Sequence, residues 1–159
     1  MNQFRAAVVT VSDSRSAEND YSGNELVELL EGAGITVISR NWSTDDLGEI
    51  RAVLISVAER EDVDVVISTG GTGFASRDNT PEATRSVIDR EAPGIAEAIR
   101  RETSNQSPLA MLSRGICGIR GTTLIVNLPG SPKAVKECFA VLRPVLSHAI
   151  ALLRGEKPH

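Results

Sequence analysis

Two aspartates, an arginine and a cluster of glycines are the residues of this chain best suited to chemistry. The stretch Ser68-Thr69-Gly70-Gly71-Thr72-Gly73 sets three glycines in four positions, and Arg77-Asp78 follows shortly after. A backbone without Cβ atoms turns sharply and presents several N–H groups at close range, which suits phosphate oxygens. A cation and a carboxylate beside such a turn suit a nucleotide and its magnesium ion. Read plainly, the same stretch is a strand-to-helix connection that uses glycine for tight geometry, although such connections rarely carry so many polar residues. Two phosphate-binding patterns are excluded. A P-loop needs Lys-Ser or Lys-Thr after its last glycine, where Phe74 stands, and a dinucleotide fingerprint needs a glycine where Ser76 stands.

The second carboxylate comes from Ser43-Thr44-Asp45-Asp46. One of Asp45 and Asp46 caps the helix that starts at Leu47, and the other is free for a ligand. Carboxylates on two loops near a glycine turn suit Mg²⁺, which takes a few carboxylates together with phosphate oxygens and water. Ser12 and Asp13 either bind a ligand or turn the chain. Asp20-Tyr21-Ser22-Gly23 leads into a helix N-terminus, which favours an anion unless Ser22 merely caps it. Lys133, behind Pro129-Gly130-Ser131-Pro132, meets a phosphate or stands in solvent. His148 and His159 suggest no catalytic base. No Ser-His-Asp order, Cys-His pair or His-Glu-x-x-His pattern occurs, so hydrolase and zinc chemistry are unsupported.

The elements that must position these residues follow from hydrophobic periodicity. Arg5–Val11, Ile35–Trp42 and Val63–Ile67 read as strands, as do two short runs, Ile116–Arg120 and Thr122–Val126. Between them lie a helix over Leu26–Leu30 stopped by Gly32 and Gly34, and another with Leu47, Ile50, Leu54, Val57 and Ala58 on one face. A third is expected from Pro81 to about Arg90 with Thr80 as N-cap, and a fourth over Ile95–Glu102 after a break at Pro93-Gly94. A helical turn at Leu109–Leu112 and a long last helix complete the chain. The last helix starts at Pro132, carries Val135, Cys138, Phe139, Leu142, Leu146, Ile150 and Leu153 on one face, and is kinkable at Pro144.

Strands alternating with helices predict an α/β fold with a mainly parallel sheet between helical layers, in which ligands gather beyond the carboxyl ends of the strands. Ser12-Asp13, Thr44-Asp45-Asp46, the glycine stretch and Asn127-Leu128-Pro129-Gly130-Ser131 all follow strands, so one edge of the sheet collects every unusual loop. With 159 residues and no linker or repeat, a single domain over 1–159 is expected. A net charge of −4 without a basic block argues against nucleic acid, and no apolar run suits a membrane span. The N-terminus runs into a strand without a signal-peptide pattern. Cys117 and Cys138 have no metal-ligand spacing and are expected as reduced core residues of a cytoplasmic protein.

Thr69-Gly70-Gly71-Thr72-Gly73, Arg77-Asp78-x-Thr80-Pro81-Glu82-Ala83 and Asn127-Leu128-Pro129-Gly130-Ser131-Pro132-Lys133-Ala134 together resemble the MogA/MoaB family of molybdenum cofactor biosynthesis. Val9-Thr10-Val11-Ser12-Asp13 and Asp20-x-Ser22-Gly23 resemble that family's first loops, and the likeness runs from about Val8 to Leu153. The resemblance implies a three-layer α/β/α sandwich, a homotrimer, and adenylylation of molybdopterin by ATP with Mg²⁺ and release of pyrophosphate. It makes Asp45 and Asp78 the catalytic and metal-binding pair and thereby selects Asp45 over Asp46. It assigns Gly70, Gly71, Thr72, Gly73 and Arg77 to the nucleotide. Ser12, Asp13, Ser22, Gly23, Pro129, Gly130, Ser131 and Lys133 fall to the pterin and its phosphate. Other molybdenum cofactor biosynthesis proteins are the partners it suggests. The alternative within the same family is a non-catalytic oligomer that binds molybdopterin or a nucleotide.

Overall fold

The computed structural model describes residues 3–157. In chain order it comprises β1 (Phe4–Val11), α1 (Tyr21–Gly32), β2 (Ile35–Ser43), α2 (Leu47–Ala58), β3 (Val65–Thr69), α3 (Thr80–Arg85) and β4 (Arg90–Glu91). These are followed by α4 (Pro93–Thr103), a 3-10 turn (Pro108–Leu112), β5 (Cys117–Arg120), β6 (Thr123–Leu128) and α5 (Pro132–Leu153). One six-stranded sheet has the order β2-β1-β3-β6-β5-β4. Its first four strands are mutually parallel, and β5 runs antiparallel to both β6 and β4. The expected three-layer arrangement with a mainly parallel sheet is present.

Alternation along the strands divides the core between the two faces. From β1, Ala6 and Val8 join Leu26 and Leu30 of α1 with Phe139, Leu142 and Leu146 of α5. Ala7, Val9 and Val11 join Ile50, Leu54 and Val57 of α2 with Ala83 of α3. Strands β3 and β6 are buried along their whole length, as central strands covered on both faces must be. Each fully buried Leu, Ile or Phe contributes about 1.5–3 kcal/mol relative to exposure. At the amino ends of the strands, Arg154 behind α5 donates two hydrogen bonds to Asp64 (2.6 and 2.9 Å), fixing the long helix across the sheet. Helix α5 continues through Pro144.

The strands expected at Val63–Ile67 and Thr122–Val126 lie slightly later, at Val65–Thr69 and Thr123–Leu128, and three helix boundaries differ for a local reason. The helix predicted to reach Arg90 stops at Arg85, because Asp89 N–H donates to Ile119 O (2.7 Å) and Ala92 N–H to Cys117 O (2.8 Å), pulling the chain into the sheet as β4. Pro93-Gly94 does not break the chain but opens α4, since proline at the first turn has no N–H to leave unsatisfied. Helix α3 begins at Thr80 with Asn79 as N-cap, one residue before the expected start, because the Thr80 hydroxyl is bonded elsewhere. Cys117 and Cys138 are buried and unpaired, and burial pushes both thiols up to about 12. No helix among the described residues is long and apolar enough to cross a membrane.

Candidate active site

The parallel strands β1, β2, β3 and β6 deliver their following loops to one edge, and the glycine turn sits in the middle of it. Gly70 has φ +105° and Gly71 φ +68°, conformations that exclude ordinary side chains. A Cβ on Gly70 would overlap the Val11 carbonyl, and one on Gly71 would overlap the Thr80 hydroxyl and lie 3.3 Å from Asp45 Oδ1. Neighbouring elements hold the turn at both ends. Gly70 N–H donates to Leu128 O (3.0 Å), the Thr69 hydroxyl to Pro129 O (2.6 Å) and the Thr80 hydroxyl to Gly70 O (2.9 Å). Thr80 is therefore a loop anchor rather than a helix cap.

Arg114 is the residue that sequence reasoning missed. Its guanidinium donates to Gly73 O, Asp78 O and Glu82 Oε2, each at 2.7 Å, and its own N–H donates to Thr72 O at 2.8 Å. One side chain thus ties the end of the glycine turn to the Asp78 segment and to α3, taking up carbonyls and leaving N–H groups for a ligand. An isolated arginine 36 positions after Asp78 carries no local signal of that role.

Capping distinguishes Asp46 from Asp45 in the fold. Asp46 accepts from Glu49 N–H (3.0 Å) and is the N-cap of α2, which turns Asp45 the other way. Asp45 Oδ2 accepts from Asp13 N–H and Asp13 Oδ1 accepts from Asp45 N–H, both at 3.0 Å, a reciprocal pair that joins the loops after β1 and β2. Asn79 Nδ2 adds a bond to Asp45 O (2.9 Å). Burial raises the pKa of Asp45, and the Asp13 charge and, further off, that of Asp78 act in the same direction, against the Asp13 N–H and Arg77. Asp78 Oδ2 accepts from Ala75 N–H (2.9 Å).

Arg77 does not reach the turn but forms a bidentate ion pair with Asp13 (2.7 and 2.8 Å). That pair, helped by the Asp45 N–H, holds the Asp13 carboxyl down to about 2 from its ordinary 3.8. A folded-state value below the unfolded one means that the pair favours folding above pH 3.8 and loses this contribution as pH falls towards 2. The Asp13 carboxyl carbon should therefore titrate in an NMR experiment with a midpoint near 2. An ordinary aspartate midpoint would mean that the pair does not persist in solution.

A polar cleft of about 260 Å³ gathers Asp45, Asp78, Gly70, Gly71, Ser12 and Ser22, with Gly130 on its wall. Thr72, Gly73 and Pro129 line an adjoining cavity instead. Asp13 borders a shallower pocket with Trp42 and Thr44. Ser131 caps α5 by accepting from Ala134 N–H (3.2 Å), and Lys133, 86% exposed, stands in solvent 4.0 Å from Glu137. No group of three or more His, Cys, Asp or Glu among the described residues is arranged to hold a metal. Two carboxylates on one polar cleft nevertheless fit Mg²⁺, which retains waters and takes most of its other oxygens from a phosphate substrate.

Beneath the cleft lies a fully buried carboxylate. Asp20 Oδ2 accepts from the Thr10 hydroxyl (2.7 Å), Arg40 Nη2 (2.8 Å) and Trp42 Nε1 (3.0 Å), while Oδ1 accepts from Gly23 N–H (2.9 Å). Asp20, not Ser22, therefore caps α1. Removing one partner of a buried pair leaves the others uncompensated, so Asp20→Ala should cost about 3–5 kcal/mol in urea unfolding. A loss below about 1 kcal/mol would show that water replaces the carboxylate.

A three-layer α/β chain with a glycine turn set between two carboxylates at the strand ends defines a protein of the open-sheet α/β class. Residues 7–148 match the family described as a probable molybdopterin binding domain, and the chain belongs to that family. Molybdopterin adenylyltransferase of Helicobacter pylori is 35% identical over 159 residues, which cover 98% of this chain and 90% of that protein. The molybdenum cofactor synthesis protein cinnamon of Drosophila melanogaster is 44% identical over 156 residues, 96% of this chain, but the chain spans only 26% of that longer protein. The crystal structure of the molybdopterin biosynthesis enzyme MoaB from Thermus thermophilus superposes with a TM-score of 0.88 at 43% identity, covering 97% of this chain and 98% of that one. The motif resemblance to MogA/MoaB proteins holds along nearly the whole sequence.

Proposed function

We propose that this chain transfers AMP from ATP to molybdopterin, giving adenylyl-molybdopterin and pyrophosphate in molybdenum cofactor biosynthesis, with residues 1–159 acting as one domain. The observation that carries this reading is the meeting of Asp45, Asp78 and the glycine turn in one cleft. The names of the relatives, adenylyltransferase among them, support the same reaction. An oxygen of the pterin's terminal phosphate attacks the α-phosphorus of ATP in line. The new P–O bond forms as the bond to the β-phosphate oxygen breaks, and pyrophosphate leaves with that electron pair.

Such a transfer asks for positioning and charge stabilisation more than for a strong base, in keeping with a cleft whose lining has no histidine. The N–H groups of Gly71, Thr72 and Gly73 present donors to the phosphates while Leu128 holds the Gly70 N–H and Arg114 and Thr80 occupy neighbouring carbonyls. Asp45 and Asp78 would hold a Mg²⁺ ion that neutralises phosphate charge. Arg77, released from Asp13, is within the same loop cluster for a phosphate. Ser12, Asp13, Ser22, Gly23, Pro129, Gly130, Ser131 and Lys133 border the pterin side.

A homotrimer is part of the proposal. It is supported by an apolar groove between α4 and α5, where Val145 and Leu152 are 46% and 52% exposed. Two buried unpaired cysteines suit the cytoplasm, where the other cofactor-biosynthesis proteins would be met. The decisive test is pyrophosphate release by purified protein given molybdopterin, ATP and Mg²⁺. Release that requires the pterin supports the reaction. Tight pterin binding without release, under conditions where a relative turns over, would instead make the chain a non-catalytic binding oligomer.

A further inference from the structure

The amino ends of the parallel strands carry another polar cavity, at the edge of the sheet opposite the glycine turn. It encloses about 580 Å³, against about 260 Å³ for the cleft with Asp45 and Asp78. Arg5 of β1, Asp64 just before β3 and Thr123 at the start of β6 line it, together with the segment after α2 and the turn between β5 and β6. No residue assigned to the transfer reaction belongs to its walls.

Four arginines and four carboxylates line this cavity, so its formal charges cancel. Three of the arginines are already engaged. Arg60 donates to Asp62 (2.9 and 2.8 Å), Arg120 to Glu59 (2.7 Å) and Val87 O (2.8 Å), and Arg154 to both oxygens of Asp64. Arg5 is the exception. Its guanidinium makes no hydrogen bond among the described residues, and its Nε is buried. The paired oxygen, Asp64 Oδ2, lies 3.6 Å from that nitrogen and already accepts from Arg154 Nη2 and from the Arg5 N–H (2.8 Å). A buried donor left without an acceptor opposes folding, and buried polar groups are otherwise almost always paired. An acceptor entering the cavity relieves that cost.

We propose that this cavity is a binding site for a small organic acid, whose carboxylate takes the Arg5 guanidinium and whose body lies against Ala58 and Val63. The planar guanidinium matches a carboxylate through two parallel N–H···O bonds, a fit that an ammonium does not offer. Charge sets the class of ligand. A single negative charge is answered by Arg5, whereas a polyphosphate would bring further charge against Glu59, Glu61 and Asp89 of the same lining. The site is independent of AMP transfer, since the two share no residue and lie at opposite ends of the strands.

NMR titration of the ¹⁵N-labelled wild-type protein with butyrate tests the assignment and needs no variant to fold. The Arg5 Nε–Hε signal and the amides of Gly121 and Thr122 should shift together and saturate. Arg5→Lys keeps the charge and the backbone bond to Asp64 but not the planar fork, and should raise the butyrate dissociation constant at least about tenfold. The same variant should retain wild-type AMP transfer. An Arg5 signal that does not move, or shifts confined to residues 70–78, overturns the proposal. So does unchanged butyrate affinity in a folded Arg5→Lys variant. Tighter binding of inorganic phosphate than of butyrate at the Arg5 signal overturns the carboxylate assignment. A wild-type protein without AMP transfer would remove the function proposed above and leave this site standing.

Discussion

Asp78→Asn and Asp45→Asn should each lower AMP transfer by roughly 10²–10³-fold or more, the scale on which a single transition-state electrostatic contact is felt. The fold should survive both changes. In Asp78 the carboxylate accepts one backbone bond, from Ala75, and in Asp45 one from Asp13; an asparagine oxygen keeps either acceptor. Stability should even rise in Asp45→Asn. Its carboxylate is raised in pKa by burial and by the Asp13 charge, so the ionised form opposes folding at neutral pH and the amide relieves it. An inactive protein with an unchanged or higher unfolding midpoint is the expected signature of a residue kept for chemistry against stability. Near wild-type turnover would remove the substituted aspartate from the catalytic pair.

Gly70→Ala should be the most damaging small substitution on this edge of the sheet. At φ +105° an alanine is strained, and its Cβ would meet the Val11 carbonyl, which is backbone and has no rotamer to yield. The turn has no room to retreat, because Gly70 N–H is bonded to Leu128 and Gly70 O to Thr80. A destabilisation of about 3 kcal/mol or more is expected from strain plus displacement, together with loss of nucleotide binding. Gly155→Ala is the matched control. That residue also has positive φ (+77°), yet a Cβ there meets nothing within 4 Å, so the cost should stay near 1 kcal/mol. Equal urea midpoints for the two variants would show that the turn relaxes in solution.

The parts of this architecture legible in the sequence were those with a local physical signature. β1 and β3 announce themselves by continuous apolar residues because helices cover both their faces, and α2 and α5 by 3.6-spaced ones because each buries one face against the sheet. β4 does not: Arg90 and Glu91 are exposed and polar, and only their pairing with β5 makes them a strand. At the site the glycine turn and Asp78 were visible for the same reason, a backbone conformation that demands glycine and a charge set beside it. Asp45 and Asp46 were equivalent on residue type alone, since either can cap; a bond from Asp13, 32 positions away, separates them. Arg77 reads naturally as a phosphate ligand, yet an aspartate 64 positions earlier holds it. Arg114 is defined wholly by distant partners, and Asp20 by Arg40 and Trp42 as well as by its local cap.

The position of β6 has a consequence for how the protein is made. It is last in the chain among the strands but lies fourth across the sheet, between β3 and β5. As the chain emerges from the ribosome, β1, β2 and β3 pair first, and the edge of β3 stays open until residues 123–128 arrive. That edge carries Val65-Val66-Ile67, an apolar strand of the kind that recruits other chains when unpaired. During the same interval Gly70 N–H and the Thr69 hydroxyl lack Leu128 and Pro129, so the turn has no fixed shape to offer a nucleotide. Chaperones that shield nascent strands would act on this interval, and nucleotide binding would begin only once synthesis has passed the last strand.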